Sequence, residues 1–485
     1  MKLYEILKDT GISFDFPDTE IKDICYDSRK AGKDMVFVCL KGHEQDGHKY
    51  AADAYGKGCR VFCVEEDTSL PSDAVIIKHK NTRKLLALMS ANFFSCPLDG
   101  LLSIAITGTK GKTSTAYMIS SILRKAGRKV GIIGTIGIFT GEKLYKCDNS
   151  TPESYLIHRY LREMADNGLD TVVMETSSQG FKLDRTYGMI FDMGIFTNLS
   201  PDHIGEGEHK DYEEYKNCKK MLFSTCKTGF FNGDDNESGF MQENASCEIK
   251  TYGIKESYDY YASDIVYASR DGKLITEYNF CHNGYKTRFS VNYPGKAGVY
   301  NSLCAGAVCS YLGIDDETIK NGLENAVVRG RNEIINSPKG FSVIIDYAHN
   351  ELSVKSLYET LKPYRRGRVF TVFGCGGNRS KLRRYSMGDI ITRNSDFSVI
   401  TSDNPRFEWL NDIIADIKQG ITSPLGEVIV MKDRKKAIEY CLENAVKEDI
   451  VLIIGKGHQC YEEIEGVKYP FDERKIVLDY LGLED

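Results

Sequence analysis

Apolar positions along the chain fall into short runs separated by polar connections. Up to about residue 98, Met35-Val36-Phe37-Val38, Val61-Phe62-Cys63-Val64 and Val75-Ile76-Ile77 read as buried strands, and Leu85-Leu86-Ala87-Leu88-Met89 reads as helix. Cys96-Pro97-Leu98-Asp99-Gly100 then breaks the pattern as a linker does. A second block opens with the apolar run Leu101 to Thr107, which meets glycine. The helix that follows has Ala116, Ile119, Ile122, Leu123 and Ala126 on one face and ends at Gly127. Val130 to Ile133, Thr171 to Met174 and Met193 to Thr197 are further strands, and the Tyr-, Thr- and Ser-rich tract from about 229 to 292 reads as an antiparallel extension. From about 330 the alternation restarts with Val343-Ile344-Ile345, Val369 to Phe373, Phe397 to Thr401, Val428-Ile429-Val430 and Ile450 to Ile454. Strands alternating with helices predict an α/β fold with doubly wound parallel sheets. The expected domains are 1–98, 99–329 and 330–485.

Composition narrows the class. Of the 485 residues, 41% are apolar and 27% charged, which excludes a disordered chain. No apolar stretch approaches the ~18 residues that would span a bilayer, so no membrane partner is expected. Met1-Lys2-Leu3-Tyr4-Glu5 carries an acidic residue and no apolar signal core, so a cytoplasmic location is expected. A net charge of −6, spread along the chain, argues against nucleic acid as a partner. The 15 cysteines are odd in number and scattered without a C-x-x-C spacing, so reduced thiols are expected.

The chemistry concentrates where Ile104-Ala105-Ile106-Thr107 runs into Gly108-Thr109-Lys110-Gly111-Lys112-Thr113. Glycines at 108 and 111 let backbone N–H groups approach phosphate oxygens at a helix N-terminus. Lys112 supplies a point charge to the β- and γ-phosphates, and the Thr113 hydroxyl suits Mg²⁺. Two residues, not the usual four, separate the first glycine from the Gly-Lys pair. Glu175, after Thr171-Val172-Val173-Met174, places an oxygen ligand at a strand's carboxyl end.

The segment Thr107 to Thr113 resembles the T-G-T-N-G-K-T loop of the Mur ligases, ATP-dependent amide-forming enzymes of peptidoglycan synthesis, with Lys110 where that family usually has Asn. The resemblance runs from about residue 26 to residue 474. It implies the three-domain Mur ligase architecture: a uridine-nucleotide-binding domain, a central ATP-binding domain and a Rossmann-like domain for the incoming amino acid. Met174-Glu175-Thr176-Ser177-Ser178 and Asn198-Leu199-Ser200-Pro201-Asp202-His203 are similar to family segments whose Glu and His lie at two Mg²⁺ ions. In Tyr215-Lys216-Asn217-Cys218-Lys219-Lys220, the spacing from Tyr matches a family lysine that carries a carbamate. The resemblance therefore favours carbamylated Lys219 over Lys220, whereas the residues alone read as a solvated basic helix face. Gly330-Arg331-Asn332-Glu333 and Asp346-Tyr347-Ala348-His349 resemble G-R-M-E and D-Y-A-H, which implies ATP contacts from Arg331 and Asp346 that are completed when the domains close. Asn301 keeps the second Asn of F-N-V-x-N, while Gly298 replaces the first.

Further segments resemble the branch that adds the third peptide residue to a UDP-N-acetylmuramoyl dipeptide. Ser28, His43, Glu44 and Gln45 match its uridine-recognition positions. Asn149-Ser150-Thr151-Pro152 reads as a helix start with Thr151 as cap, and by resemblance Ser150, Thr151, Ser177 and Arg185 touch the same substrate. Gln179 and Leu183 replace a common His and Gln. Asp403-Asn404-Pro405-Arg406 marks use of meso-diaminopimelate, with Arg406 pairing its distal carboxylate. Arg379 and Gly455 match further contacts to that diamino acid. Gln459 stands where an acidic residue would meet the distal ammonium, so Glu408 is a candidate to compensate. A monomer is the expected state. The alternatives are a ligase that adds lysine or another amino acid, a paralogue that makes an amide in another pathway, a folylpolyglutamate synthetase type, and a non-catalytic nucleotide-sugar binder.

Overall fold

The three apolar runs of the first block become parallel strands, joined by one that the pattern did not announce. β1 (Asp23–Cys25), β2 (Met35–Val38), β3 (Val61–Val64) and β4 (Val75–Lys78) pair in that order. The helix Thr82–Phe93 supplies Leu85, Leu86 and Met89 to a core shared with Val36, Val38, Val61 and Ile77. The computed structural model describes residues 1–13, 15–42 and 45–484. They form two compact units, 1–252 and 253–485. Both show mixed α/β architecture.

The first unit also holds the strands β5 (Leu102–Thr107), β6 (Val130–Ile133), β7 (Ile138–Phe139), β8 (Leu144–Tyr145), β9 (Thr171–Glu175), β10 (Phe191–Phe196), β11 (Cys226–Asn232) and β12 (Glu248–Gly253). Their order is β12-β11-β10-β5-β9-β6-β7-β8, parallel from β12 to β6 and antiparallel beyond. The tract from 229 was expected to be antiparallel throughout, but its first part is parallel. The helices Tyr212–Lys220 and Ser238–Gln242 return the chain to the same sheet end before β11 and β12, and such crossovers produce parallel neighbours.

Antiparallel pairing is found in the second unit, in β13 (Tyr260–Arg270), β14 (Lys273–His282) and β15 (Tyr285–Val291). Their hairpins turn at Asp271-Gly272 and Asn283-Gly284, where both residues of each pair have positive φ, the dipeptides such two-residue turns require. The remaining strands are β16 (Glu333–Asn336), β17 (Ser342–Asp346), β18 (Val369–Phe373), β19 (Phe397–Ile400), β20 (Glu427–Val430) and β21 (Ile450–Ile454). They form a sheet in the order β16-β17-β21-β18-β19-β20, parallel except for β16. β21 shows how both faces are covered: Ile450, Leu452 and Ile454 enter one core, Val451 and Ile453 the other. The loops after β17, β18, β19 and β21 share one rim at the strands' carboxyl ends, where open α/β sheets bind ligands.

Among the described residues no helix is long and apolar enough to cross a membrane. All 15 cysteines are free thiols.

The helix Ser154–Asp166 buries His158, whose two ring nitrogens have no hydrogen-bond partner. Burial lowers its pKa from 6.5 to about 4, so protonation favours the unfolded chain. Stability is predicted to fall as pH drops from 6.5 towards 4, by up to roughly 3 kcal/mol. Denaturant unfolding of His158→Leu should show this pH-dependent loss removed.

Candidate active site

The loop after β5 is held open by its glycines and by the strand beside it. Gly108 has φ of +145°, and a β-carbon there would lie 2.0 Å from Thr197 Oγ1. Gly111, at +86°, precedes the helix Lys112–Lys125. Asn198, just past β10, staples the loop: its carbonyl accepts from Thr109 N, its Oδ1 from Lys110 N, and its Nδ2 donates to the Lys110 carbonyl. Thr109 Oγ1 lies 2.9 Å from Tyr215 OH. Lys112 Nζ donates to the carbonyls of Gly108 and Thr109 at 2.7 and 3.1 Å.

Glu175 ends β9, the strand paired with β5. Its carboxylate is buried, with Oε1 accepting from Thr113 Oγ1 at 2.9 Å and from Thr135 N at 2.8 Å, and Oε2 from Thr135 Oγ1 at 3.0 Å. The Thr113–Glu175 oxygens fit the hard-donor preference of Mg²⁺. Among the described residues no group of three His, Cys, Asp or Glu side chains gathers that could hold a metal alone.

Lys219 corrects the solvated reading of its helix. It is 2% exposed, its Nζ donates to the same Gly108 carbonyl at 2.8 Å, and the Tyr215 ring lies 4.6 Å away. Its neighbour Lys220 instead pairs with Glu243 near the surface. Burial first, and the Lys112 charge next, hold the Lys219 ammonium well below its ordinary pKa. His203 is exposed, has φ of +53°, and its Nδ1 lies 2.9 Å from Glu208.

Near the first sheet, Ser28 begins a short turn capped by Asp27, and Gln45 is exposed, its carbonyl accepting from Gly42 N. His43 and Glu44 lie outside the described residues. The helix after Ser150 starts at Ser154 with Glu153 at its cap, so Thr151 is not the cap. The Thr151 hydroxyl turns inward instead, donating to the Glu175 carbonyl and accepting from Ser177 N. Ser177 caps its own short helix through Gly180 N. Arg185 grips Glu153 at 2.9 Å and the Thr151 carbonyl at 2.8 Å, while Arg83 reaches Glu153 at 3.0 Å. No motif or spacing announces this Arg83–Glu153–Arg185 strut. Gln179 presents a buried amide nitrogen without a partner.

In the second unit, Asp346 accepts from Asn332 N and Ala348 N, each at 2.7 Å, and burial raises its pKa. The Arg331 guanidinium lies 4.8 Å over the Tyr347 ring, with its Nε buried and unpartnered. Asn301 is buried on the helix Gly295–Tyr311. A β-carbon at Gly298 would lie 2.3 Å from the Tyr293 carbonyl oxygen, which explains the absence of a side chain there.

On the same rim, Asp403 Oδ1 lies 3.5 Å from the fully buried Lys456. Asn404 Oδ1 accepts from Lys456 Nζ, and its Nδ2 donates to Gln459 Oε1 at 3.2 Å. Pro405 is packed so closely that a β-carbon at Gly377 would meet its carbonyl at 1.8 Å. A β-carbon at Gly455 would lie 2.9 Å from Asp403 Oδ2. Arg379 is exposed on the loop after β18. Residues that sequence reasoning missed hold this rim: Arg434, paired with Glu473 at 2.6 Å in the interior, donates to the carbonyls of Ser402 and Ile454.

A glycine loop carrying Lys-Thr, next to a strand that ends in a buried carboxylate, defines an α/β protein built to handle nucleotide phosphates. Three family models match in succession: the Mur ligase family catalytic domain over residues 20–94, the Mur ligase middle domain over 106–309, and the Mur ligase glutamate ligase domain over 330–457. UDP-N-acetylmuramoyl-L-alanyl-D-glutamate–2,6-diaminopimelate ligase of Clostridium perfringens is 39% identical, covering 99% of this chain and 97% of that one. The ligase of the same name from Clostridioides difficile is 40% identical over 96% and 95%. A solved structure of a ligase with that name is 26% identical, with a TM-score of 0.73 over 99% of both chains. The chain belongs to the Mur ligase family.

Gly108→Ala is predicted to destabilise the first unit by about 2–3 kcal/mol through backbone strain and collision with Thr197. Gly127→Ala, at φ of +87° with open space around it, should cost about 1 kcal/mol. Equal losses in denaturant unfolding would contradict the account of the loop.

Proposed function

We propose that the protein is an ATP-dependent amide ligase that joins the D-glutamyl carboxylate of UDP-N-acetylmuramoyl-L-alanyl-D-glutamate to an amine of meso-2,6-diaminopimelate. The reaction named for relatives near 40% identity supports this reading. The observation that carries it is the convergence of Lys112, Lys219, Thr113 and Glu175 on one phosphate loop.

In the proposed reaction a carboxylate oxygen of the substrate attacks the γ-phosphorus of ATP, and ADP leaves. The amine nitrogen then attacks the carbonyl carbon of the acyl phosphate, and the tetrahedral intermediate expels phosphate and loses a proton. The loop N–H groups and Lys112 orient the triphosphate and hold its charge, so the protein works by positioning and electrostatic stabilisation. Two Mg²⁺ ions, held by Thr113, Glu175, His203 and Lys219 as its carbamate, would neutralise phosphate charge when bound. The donor set fits only with that modification. A bare Lys219 ammonium would repel cations, whereas a neutral amine, which its burial favours, can attack the carbon of CO₂, lose a proton from nitrogen to water and become an anionic oxygen donor.

The division of labour follows residues 1–98, 99–329 and 330–485. Ser28, His43, Glu44, Gln45, Ser150, Thr151, Ser177 and Arg185 serve the UDP-sugar peptide. Asn301, Arg331 and Asp346 serve the nucleotide. Arg379, Asp403 to Arg406, Gly455 and Gln459 serve the diamino acid. The enzyme acts as a cytoplasmic monomer without nucleic-acid or membrane partners.

Phosphate release from ATP should require both the UDP-dipeptide and the diamino acid. Lys112→Ala should lower it by on the order of 10³-fold while leaving thermal unfolding unchanged. Turnover near the parent rate would reject the assignment.

A further inference from the structure

The diamino-acid rim carries a neutral amide at Gln459, yet a distal α-amino-acid end presents an ammonium beside its carboxylate. The carboxylates around Arg406 differ in how far they are already committed. Glu408 is paired with Arg384 at 2.8 Å and accepts from Asn378 N, so it does not supply the missing charge. Asp403 faces the buried Lys456, and Glu462 accepts from Ser402 Oγ. Glu463, on the strand β22 (Tyr461–Ile464), has one side-chain partner among the described residues. That partner is Arg406 Nε, at 3.3 Å, and the two side chains are 20% and 24% exposed.

The backbone fixes this pair more firmly than the side chains do. Arg406 N donates to the Glu463 carbonyl at 2.9 Å, Glu465 N to the Arg406 carbonyl at 2.7 Å, and Glu463 N to Asn404 Oδ1 at 2.9 Å. Arg406 is thereby held at φ of +53°, a conformation that arginine adopts only when its surroundings impose it. Its NH1 donates to the Gly377 carbonyl. The side-chain contact itself is long, single and partly exposed to solvent, a weak pair.

We propose that Glu463 binds the distal ammonium of the diamino acid, taking the place of the acid that Gln459 lacks. Arg406 and Glu463 hold each other until a zwitterionic end arrives. Its carboxylate then takes the arginine and its ammonium the glutamate, so both charges stay paired throughout. This inference rests on the proposed ligase function and on Arg406 as the carboxylate partner.

The test measures phosphate release by the full-length enzyme, with saturating ATP and UDP-dipeptide. The amine is either meso-diaminopimelate or 2-aminopimelate, which keeps the distal carboxylate and lacks the distal ammonium. The parent enzyme should prefer meso-diaminopimelate in kcat/KM. Glu463→Gln should reduce that preference by on the order of 10-fold or more, mainly through KM. Adding Gln459→Glu to Glu463→Gln should restore it by returning the charge to the same rim. If Glu463→Gln keeps the parent's preference, or both amines weaken in parallel, the inference is overturned while the ligase reading stands. If the parent enzyme releases no phosphate with meso-diaminopimelate, the ligase reading fails and this inference with it.

Discussion

Two lysine Nζ atoms donate to one carbonyl oxygen, that of Gly108. Lys112 reaches it from the first residue of the helix after the loop, and Lys219 from inside the helix Tyr212–Lys220. Like charges brought together with one of them buried disfavour ionisation of the buried group. Among the described residues no carboxylate forms an ion pair with Lys219. The arrangement is tolerable if Lys219 is neutral or converted to an anion, and an anion there turns mutual repulsion into a site for cations. The staple through Asn198, the Thr109–Tyr215 contact and the Thr113–Glu175 pair all fix the loop around that point.

The second unit meets a different demand with the same sheet logic. Its parallel strands place the loops after β17, β18, β19 and β21 on a single rim, and the rim is rich in buried polar groups that need exact partners. The Arg434–Glu473 pair has a scaffolding role there, since the guanidinium spans the ends of β19 and β21 by holding the carbonyls of Ser402 and Ile454. Removing one member of such a pair leaves an uncompensated charge in the interior, which costs far more than the pair contributes when intact. The loops that carry Asp403 and Gly455 are therefore positioned by a residue in neither motif.

Much of the architecture was legible because period and punctuation agreed. The runs that became β2, β3, β5, β17, β18 and β21 are continuous and apolar, as buried parallel strands are. The phosphate loop was legible because its glycines, lysine and threonine occur in one contiguous stretch. Less was legible where a residue's role depends on distant partners. Lys219 sits in a polar, charged helix, and only the packing of Tyr215 and the loop reveals that its ammonium is buried. Thr151 reads as a cap, but the chain runs on to Glu153 because Thr151 is recruited by Glu175 and Ser177. The strand β16 was missed because its antiparallel edge position carries no helix-alternation signal.

The most direct test of the central claim is ¹³C NMR of the protein in ¹³C-bicarbonate, compared with Lys219→Met. A carbamate carbonyl signal present in the parent and absent in the variant, with phosphate release lost in parallel, is the predicted result. Full ligase activity in a parent protein that shows no such signal would contradict the account.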